Sequence, residues 1–182
     1  MSRLFAISAL LFGLFCQSAF AQNSKPQPVA RLITSIAPVA ARPASAVVVV
    51  PNDIEKRAFD ETNIIRVKNG LPPFAWDSDV CRMARTHSEN MSRLRFFSHV
   101  TPNGLRLRDR ARVAGILQFS VLGENIAFNQ GYDDPGAFAV ERWMLSPKHR
   151  DNILSPEFRA MAIGSFVAPD GSVYLTQTFI TR

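Results

Sequence analysis

The stretch AMAIGSFVAPDGSVYLTQTFI, residues 160–180, decides the class of fold. Residues 160–168 and 172–180 are rich in β-formers, and Pro169-Asp170-Gly171 supplies the turn between them, so the two runs are predicted to pair as an antiparallel hairpin. Upstream the hydrophobic spacing changes from that of strands to that of helices. A helix is predicted over residues 53–68, where Ile54, Ala58, Phe59 and either Ile64 or Ile65 can form a stripe, with Gly70 as its C-terminal cap and Pro72-Pro73 forbidding continuation. Asp77 is a good N-cap for a second helix that carries Val80, Cys81, Ala84, His87, Ser88 and Met91 at helical spacings and runs towards Phe96-Phe97. Asn103-Gly104 marks a turn, and residues 105–113 form a short, basic helical candidate ending at Gly115. Asp134-Pro135 opens another helix, which carries Ala139, Val140, Trp143 and Met144 and stops before Pro147. Helices first and a hairpin last imply an α+β layered fold in which helices cover a small antiparallel sheet.

The N-terminus has a different logic. Arg3, the apolar run 4–16 and the small-residue ending Ser18-Ala19-Phe20-Ala21 follow the order of a secretory signal, so residues 1–21 are read as a signal peptide cleaved after Ala21. Its apolar stretch falls short of the roughly 20 residues a membrane-spanning helix needs, which leaves no transmembrane anchor after processing. Residues 22–52, with Pro26, Pro28, Pro38, Pro43 and Pro51 among Ala, Val, Ser and Gln, read as a linker in which residues 47–50 can become a short strand. Residues 53–182 then form one domain, secreted or periplasmic. Cys16 leaves with the signal, so Cys81 is alone, no internal disulfide is available, and the thiol reads as a small buried hydrophobe.

The formal net charge of +6 includes Arg93, Arg95, Arg106, Arg108, Arg110 and Arg112, a concentration that reads first as a solvated helix face and second as a peripheral contact for an anionic surface. An exported chain with no binding motif makes nucleic acid a poor partner. Chemistry is limited by three histidines, His87, His99 and His149. His87, inside a helix, reads as a packed residue. His99 stands in a loop after two aromatics that can anchor it, and Glu124 lies in Gly123-Glu124-Asn125-Ile126-Ala127, where apolar neighbours put its carboxylate at the edge of the core and in need of a partner. His99, Glu124 and His149 could together hold a divalent cation, with zinc the best match to imidazole and carboxylate, although their spacing is not itself a metal signature. The chain has no His-Glu-x-x-His, no Cys-x-x-Cys, no Gly-x-Ser-x-Gly and no phosphate-cradling glycine loop.

The segments 69–77 (NGLPPFAWD), 96–99 (FFSH), 123–127 (GENIA), 143–154 (WMLSPKHRDNIL) and 174–179 (YLTQTF), taken in order, resemble the bacterial branch of the CAP superfamily, the SCP domains of cysteine-rich secretory, antigen 5 and pathogenesis-related proteins. The resemblance implies an α-β-α sandwich with a central antiparallel sheet, and a cleft of two histidines and two glutamates able to hold a divalent cation. His99 matches the first histidine and Glu124 the first glutamate. For the second glutamate the available residue is Glu141, two before Trp143, while Ser146 stands at the usual position; for the second histidine the aligned residue is Tyr174, and His149 is the candidate to fill that space. The disulfides of eukaryotic relatives are missing.

From these features the leading expectation is a non-catalytic extracytoplasmic binding module, its cleft of His99, Glu124, Glu141 and His149 presented to a small molecule, lipid or cell-envelope component. The alternative is a metal-assisted, peptidase-like hydrolase in which Glu124 or Glu141 acts as general base on a cation-bound water.

Overall fold

A computed structural model of the chain describes residues 48–182; the expected signal peptide and nearly all of the expected linker lie outside the described residues. The end of that linker is part of the domain. Val49 N–H donates to Ser78 Oγ at 3.0 Å, the Trp76 indole donates to Val49 O at 3.0 Å, and Arg85 donates to Val50 O at 2.9 Å, so residues 48–52 pack on the domain; of the short strand considered for residues 47–50, the described residues 48–50 are not in a strand.

Helix α1 (Asp53–Lys68) begins at Asn52 with a capping box: Asn52 Oδ1 accepts from Glu55 N–H at 2.9 Å and Glu55 Oε2 accepts from Asn52 N–H at 3.0 Å. Glu55 is fully buried because it has two further tasks, accepting from the Arg85 guanidinium of α2 (Ser78–Arg93) and from the backbone N–H of Ser165. One carboxylate thus joins two helices to the sheet. Asp77 caps α2 through Asp79 and Val80 N–H, as its sequence position predicts. Helix α3 spans Leu107–Val113, α4 Pro135–Leu145 behind the Asp134 cap, and α5 Pro147–Leu154. Helix α5 is absent from the pattern expected of the sequence, since only eight residues with a single buried apolar side chain, Ile153, leave no legible stripe.

The sheet has four strands in the order β1 (Ala75–Trp76), β3 (Ala160–Val167), β4 (Ser172–Thr181), β2 (Val121–Gln130). The predicted hairpin is β3–β4, closed by Gly171 at φ 81°, a left-handed position that glycine adopts without strain. The sheet is antiparallel as expected through β3, β4 and β2, and at one edge the two-residue β1 runs parallel to β3. After Pro72-Pro73 the chain crosses beside β3 just long enough for Ala75 N–H to reach Arg159 O and Asp77 N–H to reach Met161 O, and a two-residue strand has no periodicity to read.

Helices α1, α4 and α5 cover one face of the sheet around Phe74, Trp143, Ile153, Phe158, Met161, Leu175 and Phe179; α2 and α3 cover the other around Val80, Cys81, Met83, Ala111, Ala162 and Ile180. The result is a mixed α+β sandwich of the expected α-β-α layering. Cys81 is fully buried as expected, and burial pushes its thiol up to about 12.

Candidate functional site

Beyond Arg93 the chain leaves α2 through Arg95, a non-glycine residue at φ 53°, and Phe96 then packs its ring 5.8 Å from that of His87. Phe97 stays half exposed, edge-on to Phe128 of β2, which in turn meets Tyr174 of β4. One of the two expected aromatic anchors is therefore partly buried against α2 and the other lies on the surface. This places His99 over β2. Its Nδ1 lies 2.9 Å from Glu124 Oε1, and although the Glu124 side chain is only 3 % exposed, that of His99 is 51 % exposed. Two residues 25 positions apart in sequence are thus in hydrogen-bond contact, one buried and one open to solvent.

A third residue completes the pair. Arg110 Nη2 donates to Glu124 Oε2 at 2.7 Å and Oε1 at 2.9 Å, and to His99 O at 3.2 Å, from a side chain 7 % exposed. Sequence reasoning placed Arg110 on a basic surface with Arg106, Arg108 and Arg112, which are indeed exposed. A signal was available: Leu107, Arg110 and Ala111 stand at i, i+3 and i+4, the inward stripe of α3, so this arginine alone of the four points at the core.

Beneath the pair runs a buried amide ladder. Asn125 Nδ2 donates to Gln177 Oε1 at 2.9 Å and to His149 O at 3.1 Å; Asn152 Nδ2 donates to Asn125 Oδ1 at 2.8 Å and to Glu124 O at 3.3 Å; Gln177 Nε2 donates to Thr62 Oγ1 at 3.0 Å. The ladder fastens α5 to β2 and so sets where His149 stands. That imidazole is half-buried, and its pKa is lowered first by burial and then by the neighbouring His99. Arg66 holds the far end of α5, donating to Ile153 O at 2.7 Å and Ser155 O at 2.9 Å. Glu141 is not brought to the cluster: Trp143 buries its indole and donates to Ile126 O at 3.0 Å, and a residue two positions earlier points to the opposite, exposed side of α4.

The donors at hand do not fit a divalent cation. Both oxygens of Glu124 already accept from a guanidinium that carries a permanent positive charge, so a second cation on that carboxylate would sit beside a buried like charge. Among the described residues no group of three His, Cys, Asp or Glu side chains is disposed to hold a metal ion.

The family model "CAP: Cysteine-rich secretory protein family" matches residues 59–179. The chain belongs to the CAP family. It is 40 % identical over 128 residues to the uncharacterized membrane protein YlbC of Bacillus subtilis strain 168, covering 70 % of this chain and 34 % of YlbC. It is 33 % identical over 151 residues to the uncharacterized protein YkwD of the same strain, covering 81 % of this chain and 56 % of YkwD. The crystal structure of an extracellular protein containing an SCP domain from Bacillus anthracis superposes with a TM-score of 0.62 at 34 % identity, over 71 % of this chain and 40 % of that one. This CAP chain thus spans about a third to a little over half of the curated relatives it matches.

Proposed function

We propose that this CAP domain is a non-catalytic, extracytoplasmic binding module that presents the His99 edge of the His99–Glu124–Arg110 cluster to a small molecule, lipid or cell-envelope component. The observation that carries the reading is the half-exposed His99 ring held from beneath by a buried, charge-neutralised carboxylate. With Nδ1 on Glu124, the ring is oriented and its Nε2 is left as the group a ligand meets. The exposed rings of Phe97 and Phe128 on the same side extend the surface with flat apolar area. An extracytoplasmic setting is supported by the extracellular SCP protein among its relatives and by the leader-like residues 1–21. Among the described residues no helix is long and apolar enough to cross a membrane.

The geometry gives less support to hydrolysis. A general base must face the water it deprotonates. Glu124 instead has both oxygens engaged and almost no exposure, and Glu141 lies on the far side of α4.

The test compares parent protein with His99→Ala, a substitution of an exposed side chain. Retention on isolated cell envelopes and on their extracted-lipid vesicles is expected to fall at least fivefold in the variant with its thermal unfolding unchanged. Equal retention of both proteins would defeat the binding role, and casein or ester turnover by the parent that disappears in Glu124→Gln would replace it with catalysis.

A further inference from the structure

Strand β2 forms one edge of the sheet: β4 pairs with it on one side, and among the described residues no strand lies on the other. In an antiparallel edge every second residue turns both its backbone groups outward. Here these are the even positions, since Glu124 O accepts from Asn152 Nδ2 and Ile126 O accepts from the Trp143 indole, so that α5 and α4 close the edge as far as residue 126. The closure ends there. Phe128 and Gln130 are the next residues of that set, and among the described residues nothing hydrogen-bonds to their outward N–H and C=O groups.

Beside this open stretch lies a hollow of about 660 Å³ between β2 and α4, with Ala127, Asn129, Tyr132, Phe138 and Arg142 on its walls. Helix α4 runs alongside β2 in the opposite direction, its start joined to Asn129 through Pro135 O and its end to Ile126 through Trp143. The odd-numbered β2 side chains face this helix: Asn129 donates to Pro135 O, and Ala127 packs in the core beneath α4. A chain laid on the open edge therefore follows α4. Phe138 and Arg142 are four helical residues apart, about 6 Å, and a strand returns to the same face every second residue, about 6.6 Å. The helix thus meets alternate side chains of one extended segment. The Phe138 ring, stacked 3.6 Å on Tyr132, offers an apolar face, and Arg142 is exposed and paired with no carboxylate among the described residues.

We propose that the β2–α4 groove binds an extended segment of a partner protein, which adds antiparallel to β2 and carries an apolar residue two positions before an acidic one. The apolar residue lies opposite Asn129 and against Phe138. The middle residue lies opposite Phe128 and exchanges both N–H···O bonds with it, while the acidic residue lies opposite Ala127 and meets Arg142. Antiparallel addition runs the segment in the direction of α4, which is why apolar precedes acidic. Trp143, seated on Ile126 O, stops the added strand at that end. This surface goes beyond the His99 reading and uses none of His99, Glu124 or Arg110; Phe128 alone borders both, its ring beside Phe97 and its backbone on the edge.

The experiment measures fluorescence anisotropy of the labelled peptide Lys-Thr-Leu-Thr-Glu-Thr-Lys on the full chain, beside the same peptide N-methylated at the Thr between Leu and Glu, and the same peptide with Glu exchanged for Lys. Saturable binding of the first is expected, at least tenfold weaker for the N-methylated peptide, which lacks the donor to Phe128 O, and at least fivefold weaker for the Lys-exchanged one. Arg142→Glu, a change at an exposed position, is expected to reverse that last preference, and amide NMR shifts are expected to centre on Phe128, Gln130 and Arg142. No saturable binding of the first peptide, equal binding of the N-methylated one, or shifts centred elsewhere overturns the proposal, as does an Arg142→Glu protein that melts like the parent and keeps its preference. His99→Ala is expected to leave the peptide affinity unchanged; a loss there would put the peptide on the His99 surface and overturn the edge site.

Discussion

Replacing Arg110 by Met tests whether the cluster under His99 is held by charge. The substitution keeps much of the side-chain volume and removes the cation from a carboxylate that is 3 % exposed. At 2.7 Å and an effective dielectric of about 20, the Coulomb attraction is on the order of 6 kcal/mol before the cost of dehydrating both ions is set against it. Breaking one side of such a buried pair costs about 3–5 kcal/mol, because the remaining ion is left in place unpaired. With a urea m-value of about 2 kcal/mol per molar, the unfolding midpoint is expected to fall by roughly 2 M, read from tryptophan fluorescence and circular dichroism together. Removing both ions, in Arg110→Met with Glu124→Leu, is expected to recover most of that loss, since no charge is then stranded. A single variant within about 1 kcal/mol of the parent would refute the reasoning. So would a double variant as unstable as the sum of its parts.

The other expectations are briefer. Burial, with Arg110 nearby, lowers the His87 pKa from 6.5 to about 4, so between those values the unfolded chain binds the proton that the folded chain refuses. The stability this involves is complete above pH 6.5 and is lost as pH falls towards 4, by roughly 3 kcal/mol; His87→Leu is expected to flatten that window in urea titrations, and an unchanged slope would contradict it. A Cβ on Gly164 would lie 2.0 Å from Arg85 N and 2.2 Å from the Ala84 carbonyl carbon, so Gly164→Ala must push α2 off the sheet and is expected to cost at least about 3 kcal/mol in thermal melts. Cys81 is expected to resist thiol reagents in the native protein and to react fully in denaturant, and quick native labelling would show that α2 opens. Zinc calorimetry on the parent is expected to be flat near neutral pH, whereas stoichiometric binding that is lost in His149→Ala would restore the four-group cleft.

How much of this was legible depended on whether a residue's role is written in its neighbours or in distant partners. The capped helices were: Asp77 and Asp134 stand directly before the helices they cap, and Pro169-Asp170-Gly171 announces the hairpin by turn chemistry alone. Strand β2 was not, because Gly123, Glu124 and Asn125 break the alternation of β-formers. Their burial comes from pairing with Phe179, Thr178 and Gln177, more than fifty positions away. Residue chemistry grouped His99 and Glu124 with His149 as a possible cation site, and the resemblance to a family matched the first two to its pattern; neither named the partner that Glu124 in fact has. That partner was hidden by its surroundings. In a run of alternating arginines composition speaks for the surface, and only the i, i+3, i+4 relation of Leu107, Arg110 and Ala111 marks the one that turns inward.

The inward arginine also explains how the site tolerates its departures from the family pattern. Where the resemblance implies a second glutamate and a second histidine, the chain carries Ser146 and Tyr174, and a cation held by His99 and Glu124 alone would be poorly ligated. Arg110 makes those missing ligands unnecessary, because a covalently tethered cation already neutralises Glu124 and needs no cage. The carboxylate that would have served a metal then serves an imidazole, fixing the exposed His99 ring. A fixed positive charge cannot leave, exchange or generate hydroxide, so what the cluster gains in permanence it loses in reactivity. The half-exposed ring remains the part of the cluster that solvent reaches.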